Sequence, residues 1–347
     1  MTSPVTPDAP VLVTGGCGFV GRHLVRALSE RGERVRVLDL ADPRPLPADA
    51  EYVRGSILDE GDVQRAMTGV RRVYHLAAIA HLWRRDKADF ARINTEGTRT
   101  VLACARTMPI ERMVYCSTES ILLPRPDRRN GPIDGSAPPP LEDMPGPYTR
   151  SKHLAERLAF EAAEAGLDVV VVNPTVPVGP GDDNMTPPAA MIDMFLKGRS
   201  PAYLDCLLNL VDVRDVAAGI VLAGDRGRPG VRYILGGENL RLGDFLRLLE
   251  EVSGRRMPRR AIPAPVALAA AVVSEWIADR ITGRAPAANL EGVRLALRST
   301  PFDSRRAREE LGYAPKPIRE ALAASVRWLA AGSDERAIDA PATPAQV

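Results

Sequence analysis

The stretch Val11-Leu12-Val13-Thr14-Gly15-Gly16-Cys17-Gly18-Phe19-Val20-Gly21 runs from a short apolar segment into a glycine-spaced turn, and Leu24, Val25 and Leu28 follow at helical spacing. The apolar run reads as a buried strand and the pattern after it as a helix packed on that strand. Glycines at 15, 18 and 21 permit the tight turn, a close approach of backbone to a pyrophosphate, and close packing of helix on strand. A phosphate placed there meets the positive end of the helix. Gly15, Gly18, Phe19, Val20 and Gly21 are therefore candidate dinucleotide-binding positions. About 20 residues further on, a second strand ends at Leu38-Asp39-Leu40. There the Asp39 carboxylate can bind ribose hydroxyls and repel a 2′-phosphate, which favours NAD over NADP. Arg22 and Arg44 are the phosphate partners of the NADP alternative.

Outward from this unit, short apolar runs alternate with helical patterns. Val11 to Thr14, Val35 to Leu40, Val73 to Ala77, Met113 to Ser117 and Val169 to Asn173 read as strands, and helices begin near Gly18, Asp62, Thr95 and Tyr148. The alternation predicts an α/β fold, a Rossmann-type doubly wound parallel sheet, with a smaller and mostly helical C-terminal substrate lobe. Residues 10–173 form the dinucleotide-binding domain, with 208–223 returning to it; residues 174–207 and 224–331 form the substrate lobe. Residues 1–9 and 332–347, rich in Pro, Ala, Ser, Thr and Asp, read as disordered ends. From Pro124 to Pro147 a long irregular segment either covers a substrate or is a solvated insertion.

Of the 46 basic residues only four are lysines, and one of them, Lys152, stands four residues after Tyr148 in Pro147-Tyr148-Thr149-Arg150-Ser151-Lys152. On a helix such a pair shares one face. A free tyrosine titrates near pH ~10; a nearby ammonium stabilises the phenolate and lowers that value. A solvated helix face is the bland alternative, and it yields only to the context supplied by the rest of the chain.

The 347 residues carry a formal charge of +2 with no basic block, so nucleic acid is not implied. Cys17, Cys104, Cys116 and Cys206 have no paired ligand spacing, and the four histidines add no metal motif. A reduced, metal-free, cytoplasmic protein acting on a small molecule is expected. The N-terminus shows no basic region followed by an apolar run. Val266 to Val273, the longest apolar stretch, is too short to span a bilayer.

The glycine motif, His75-Leu76-Ala77-Ala78, Asn94 with Gly97-Thr98, Ser117-Thr118, Tyr148/Lys152 and Asn173-Pro174 occur in the order found in extended short-chain dehydrogenase/reductases, the NAD-dependent epimerase/dehydratase family, which the chain resembles along nearly its whole length. Within it the chain is most similar to the hopanoid-associated sugar epimerase and dihydroflavonol reductase branch. This rests on Leu82-Trp83-Arg84-Arg85-Asp86, on Asn173 to Pro180 and on Tyr233 to Asn239. The resemblance implies Tyr148 as proton donor or acceptor and Thr118 as partner of the reacting oxygen. Lys152 would bind the nicotinamide ribose and depress the Tyr148 pKa. Ser56 and Ile57 fall at the adenine, although Ser56 stands where the family usually has Asp. Leu76, Ala77, Ala78, Asn94, Ser117, Asn173, Pro174 and Val176 complete the implied cofactor set, and a homodimer through the helices near Thr98 and Tyr148 is implied as well.

Two departures bear on the substrate, for which Thr118, Glu119, Trp83 and Leu208 are the candidate contacts. Leu208 aligns with the arginine by which nucleotide-sugar epimerases grip a diphosphate, and its neighbours Leu204, Leu207 and Leu210 are apolar. An apolar wall cannot compensate a buried diphosphate. Glu119-Ser120 replaces the Asp-Glu pair of the sugar dehydratases, which leaves Glu119 as an auxiliary acid or a salt-bridged structural carboxylate. The expectation is ketone reduction on a bulky apolar metabolite, of ceramide or isoprenoid type. A nucleotide-sugar epimerase and a non-catalytic NAD(P)-binding regulator are the alternatives. The apolar segment Ile262 to Ile281 is either ordinary packing or an apolar entrance touching a membrane, which would place the protein peripherally on the inner membrane surface.

Overall fold

Apolar runs in the first half of the chain become strands buried on both faces, as a sheet with helices on each side requires. The computed structural model describes residues 8–43, 46–128 and 130–331. Its strands are β1 (Val11–Thr14), β2 (Val35–Asp39), β3 (Glu51–Arg54), β4 (Arg72–His75), β5 (Arg112–Cys116), β6 (Val169–Pro174), β7 (Val176–Val178), β8 (Ala202–Leu204), β9 (Leu207–Asp212), β10 (Arg232–Leu235), β11 (Glu238–Arg241) and β12 (Arg260–Ile262). Seven of them form a sheet in the order β10-β6-β5-β4-β1-β2-β3, all parallel. From β1 the chain first builds toward β3 and then returns to β4 on the other side. The crevice at this reversal, outside the strands' carboxyl ends, is where a doubly wound sheet binds its ligand.

Helices α1 (Phe19–Glu30) and, later in the chain, α7 (Val213–Arg226) cover one face of the sheet; α2 (Glu60–Met67), α4 (Gly97–Thr107) and α5 (Pro147–Glu164) cover the other. The short α3 (Ala88–Phe90) leads through a widened π turn, Ala91–Glu96, into α4, so the helix expected near Thr95 begins a full turn or more earlier. The substrate lobe contains α6 (Pro187–Leu196), α8 (Leu242–Ser253), α9 (Ala264–Ile277), α10 (Leu290–Leu297) and α11 (Ile318–Ala330). Its own core gathers Ile192 and Phe195 from α6, Phe245 and Leu249 from α8, and Leu322 from α11. Two small sheets, β11-β9-β7 and β12-β8, stitch it together.

The boundary at 224 does not follow the sheet, because β10 pairs with β6 and so belongs to the dinucleotide-binding half. Conversely β9 pairs with β7 and β11, and only α7 of the 208–223 segment returns to the main sheet. Ala9, expected in the disordered N-terminus, is buried ahead of β1. The rest of the expected disordered ends, residues 1–7 and 332–347, and Arg44 lie outside the described residues.

The edge strand β10 is fixed to α5 by a buried ion pair. Arg232 and Glu156 are 6% and 3% exposed; Arg232 Nε donates to Glu156 Oε1 at 3.1 Å, and its Nη1 donates to the Gly135 carbonyl at 2.8 Å. The guanidinium also lies over the Phe160 ring. Removing one partner leaves a charge without water or counter-ion, which costs about 3–5 kcal/mol. Arg232→Leu should therefore lower the urea midpoint by that equivalent. A drop no larger than that of an exposed control, Arg319→Leu, would show the pair to be unimportant.

Candidate active site

One cleft of about 1630 Å³ runs along the carboxyl ends of the strands and continues between the lobes. At its cofactor end, Gly15 has φ +74°, and a Cβ there would sit 2.6 Å from the Ala77 nitrogen. At Gly21 a Cβ would come within 2.1 Å of the Gly15 carbonyl, so the first turn of α1 can press on the loop only as glycine. Neither a capping side chain nor an acidic residue occupies the first turn of α1, which leaves its N–H groups and positive end open to an anion. Gly15, Gly18, Phe19, Val20 and Gly21 all line the cleft. Asp39, at the end of β2, lines it too; its carboxylate accepts from the Cys17 and Ala41 nitrogens, each at 3.0 Å. These features fit a dinucleotide.

Ser56, Ile57, Leu76, Ala77 and Ala78 continue the same wall. The Ser56 nitrogen donates to Asp62 Oδ2 at 2.8 Å, so a carboxylate six residues on supports the position where the family's Asp is missing. Arg22 is committed elsewhere: it pairs with Asp183 at 2.6 Å and donates to the Cys17 carbonyl. It is not free to receive a 2′-phosphate.

Tyr148 and Lys152 stand one turn apart at the start of α5, both buried and both on the cleft wall. Lys152 Nζ donates to the Cys116 carbonyl at 2.8 Å and lies 4.8 Å from the centroid of the Tyr115 ring. Burial lowers the lysine to about 8. Burial likewise drives the Tyr148 phenol well above its ordinary range, against the pull of a hydrogen bond with Thr118. The expected depression of Tyr148 by Lys152 is thus not what the protein alone produces. Desolvation dominates, and the ammonium is directed at the Cys116 carbonyl.

Thr118, just beyond β5, places Oγ1 3.0 Å from Glu119 Oε2 and 3.2 Å from Ser120 Oγ. Burial raises the Glu119 carboxyl to about 7 in spite of these hydrogen bonds. It has no ion-pair partner among the described residues, so the expectation of a salt-bridged structural carboxylate fails. Ser117, Pro174, Val176 and Leu208 line the cleft as well.

Asn94 and Asn173 do not. Asn94 accepts from the Ile79 nitrogen at 2.7 Å and donates to Ser151 Oγ at 2.9 Å; Ser151 in turn donates to the Tyr148 carbonyl at 2.7 Å. Asn173 Nδ2 donates to the Thr118 carbonyl at 2.9 Å and to Glu156 Oε2 at 2.8 Å. Both amides hold site segments from behind. Trp83 is also off the cleft: its indole N–H donates to Asp279 at 2.8 Å and Lys87 lies over its ring. The Pro124–Pro147 segment does not cover the site. It packs against the substrate lobe through the Ile133–Phe302 bridge and through Arg294, which donates to the Pro145 carbonyl.

Glu291 of α10 escaped the sequence reading. Its carboxylate, buried beneath the first turn of α5, accepts from the Tyr148 nitrogen at 3.1 Å, the Thr149 nitrogen at 2.8 Å and Thr149 Oγ1 at 2.7 Å. It caps the helix that carries Tyr148, from 143 residues away. Gly146 leaves it room, since a Cβ there would meet the carboxyl at 2.3 Å. No local motif announces such a cap.

The far half of the cleft is mostly apolar. Leu204, Leu208, Met191, Phe195, Tyr203 and Val293 are among its walls, and the cations among the described lining residues are Arg22, Arg84, Arg92 and Lys152, none of them from the segment around Leu208.

Comparisons with known proteins agree with this geometry. Residues 11–236 match the model of the NAD dependent epimerase/dehydratase family. A Synechocystis protein provisionally named dihydroflavonol 4-reductase is 41% identical over 91% of this chain and 93% of its own. A ketoreductase of a 3-oxo-4-farnesyl-dihydroquinoline oxide from Stigmatella aurantiaca is 36% identical over 87% of this chain and 91% of its own. The crystal structure of gox2253 superposes with a TM-score of 0.79 at 36% identity, covering 93% of this chain and 98% of that one. The Rossmann sheet, the glycine turn and the Tyr148/Lys152 helix are those of an enzyme, and the chain belongs to the NAD-dependent epimerase/dehydratase family of extended short-chain dehydrogenase/reductases.

Proposed function

We propose that the protein reduces a ketone on a bulky, apolar, lipid-like metabolite, of ceramide or isoprenoid type, with NADH. The observation that carries this reading is the apolar wall around Leu208 in the cleft that Thr118 and Tyr148 also line. A diphosphate buried there would lack a counter-charge, whereas acyl or prenyl chains gain from every apolar contact. The farnesylated ketone named for the Stigmatella relative supports it. NADH, when bound, would supply the hydride and leave as NAD.

The protein's own groups handle the oxygen and the proton. Thr118 Oγ and the Tyr148 hydroxyl polarise the carbonyl, and Tyr148 donates its proton as negative charge develops on that oxygen. Burial keeps the phenol in the protonated form that can donate but makes it a weaker acid, so a nearby positive charge is needed for the transfer. Lys152 stabilises the phenolate left behind, and Glu119, hydrogen-bonded to Thr118, is a nearby store of a proton at neutral pH. In the same reading the protein is cytoplasmic, peripheral to the inner membrane surface, and a homodimer through α4 and α5.

Tyr148→Phe should lower kcat by about 10²–10⁴ for a long-chain ketone while leaving NADH binding intact. Inversion of a nucleotide sugar by the purified enzyme, with no NADH oxidised by lipid ketones, would overturn the proposal. Asp39→Ser should shift the NADP/NAD preference toward NADP by roughly tenfold, equivalent to ~1.4 kcal/mol of repulsion removed; an unchanged ratio of KM values would show that Asp39 does not select the cofactor. For Glu119, burial raises the carboxyl from 4.5 to about 7, so the fold favours the protonated form. Its stabilising contribution is full below 4.5 and is lost as pH rises through about 7. Glu119→Gln should flatten that decline in Tm across the window, and parallel wild-type and variant profiles would place the titration elsewhere.

A further inference from the structure

The helix that closes one side of the cleft is built the wrong way round for a protein interior. Ala267, Ala271 and Ala278 are its buried residues, while Val266, Val272, Val273, Trp276, Ile277 and Ile281 are 37% to 67% exposed. Among the described residues the other large apolar side chain of comparable exposure is Leu40, far away in sequence. Positions 266, 269, 270, 273, 276 and 277 recur at the three- and four-residue spacing of one helix face, and every residue at them is apolar. Small side chains let α9 lie close on the protein, and the bulk points to solvent.

Charge around this face is one-sided. The acids of the segment are turned away: Glu275 and Asp279 pair with Lys87 at 3.2 and 3.3 Å, and Asp279 also accepts from Trp83. Arg256 and Arg260 just before the helix, and Arg280 and Arg284 just after it, are exposed and have no ion pair among the described residues. An apolar face with an indole at its edge and guanidinium groups at both ends matches the boundary between anionic headgroups and acyl chains. A second copy laid on the same face would set arginines against arginines in either alignment, since both ends are basic. Ala267 and Ala270 of the same helix, with Ile262 just before it, line the cleft, so whatever seats the outer face comes to lie beside the cleft.

We propose that α9 and its flanking arginines dock the enzyme on an anionic phospholipid bilayer, with the apolar face seated at the headgroup boundary and the cleft opening beside it. This rests on and deepens the peripheral membrane placement proposed above by naming the surface that docks, and its failure is separable from that of the substrate reading because vesicle binding is measured without turnover.

The test is co-sedimentation of the full-length protein with phosphatidylcholine vesicles, with and without phosphatidylglycerol. Wild type should pellet with the anionic vesicles, be released by salt, and show a blue shift of tryptophan emission that Trp276→Phe abolishes. Val273→Asp combined with Trp276→Asp should lower the partition at least about tenfold. Arg280→Gln with Arg284→Gln, exposed changes that spare the fold, should lower it several-fold on anionic vesicles only. NADH binding should be unchanged in the arginine pair. The proposal fails if wild type stays in the supernatant with both vesicles, or partitions equally into both. It also fails if the stripe variants change the oligomeric state on gel filtration while vesicle binding persists.

Discussion

Glu156 lies inside α5 with both carboxylate oxygens taken, one by Arg232 of β10 and the other by the Asn173 amide of β6. The same amide donates to the carbonyl of Thr118. A helix, two strands and the backbone of Thr118 are thereby tied to one buried charge. Buried charges tolerate no loosening, because each lost partner exposes the full desolvation penalty. The distance between Thr118 and the helix bearing Tyr148 and Lys152 is thus fixed from behind the site, leaving the faces toward the cleft free for ligand.

Burial is also what sets the protonation states. It raises Tyr148 and Glu119 and lowers Lys152, three groups pushed toward neutrality within one wall. Lys152, at about 8, still carries its proton at neutral pH, so it is the cation of the three and the group able to meet negative charge as it develops. The apolar lining beyond Leu208 extends the same low-polarity environment along the cleft.

Much of this was legible in the chain. The strands β1, β2, β4, β5 and β6 are apolar on both faces, so each stands out as a continuous run. β3, Glu51–Arg54, does not, because an edge strand is half solvated and carries charge at both ends. β10 escaped assignment to the main sheet for another reason. It pairs with β6 across a long separation in sequence, Arg232 against Val171 to Leu235 against Pro174, and no local pattern announces that partner. In the site, the glycine turn, Asp39 and the Tyr148/Lys152 pair are local signals, and all of them line the cleft. Asn94, Asn173 and Trp83 carry motif signals too, but motif position says nothing of whether a side chain faces the cleft or braces it. Glu291 and the Asp62 support of Ser56 have no motif at all.

The Glu291 cap has a consequence for how the molecule is divided. The first turn of the helix holding Tyr148 belongs by sequence to the nucleotide-binding half, yet its free N–H groups are satisfied by a carboxylate from the other half. Without that carboxylate the first turn of α5 would stand uncapped at Tyr148. The cleft wall that carries Tyr148 is therefore a joint product of the two halves, completed only where α10 lies against α5.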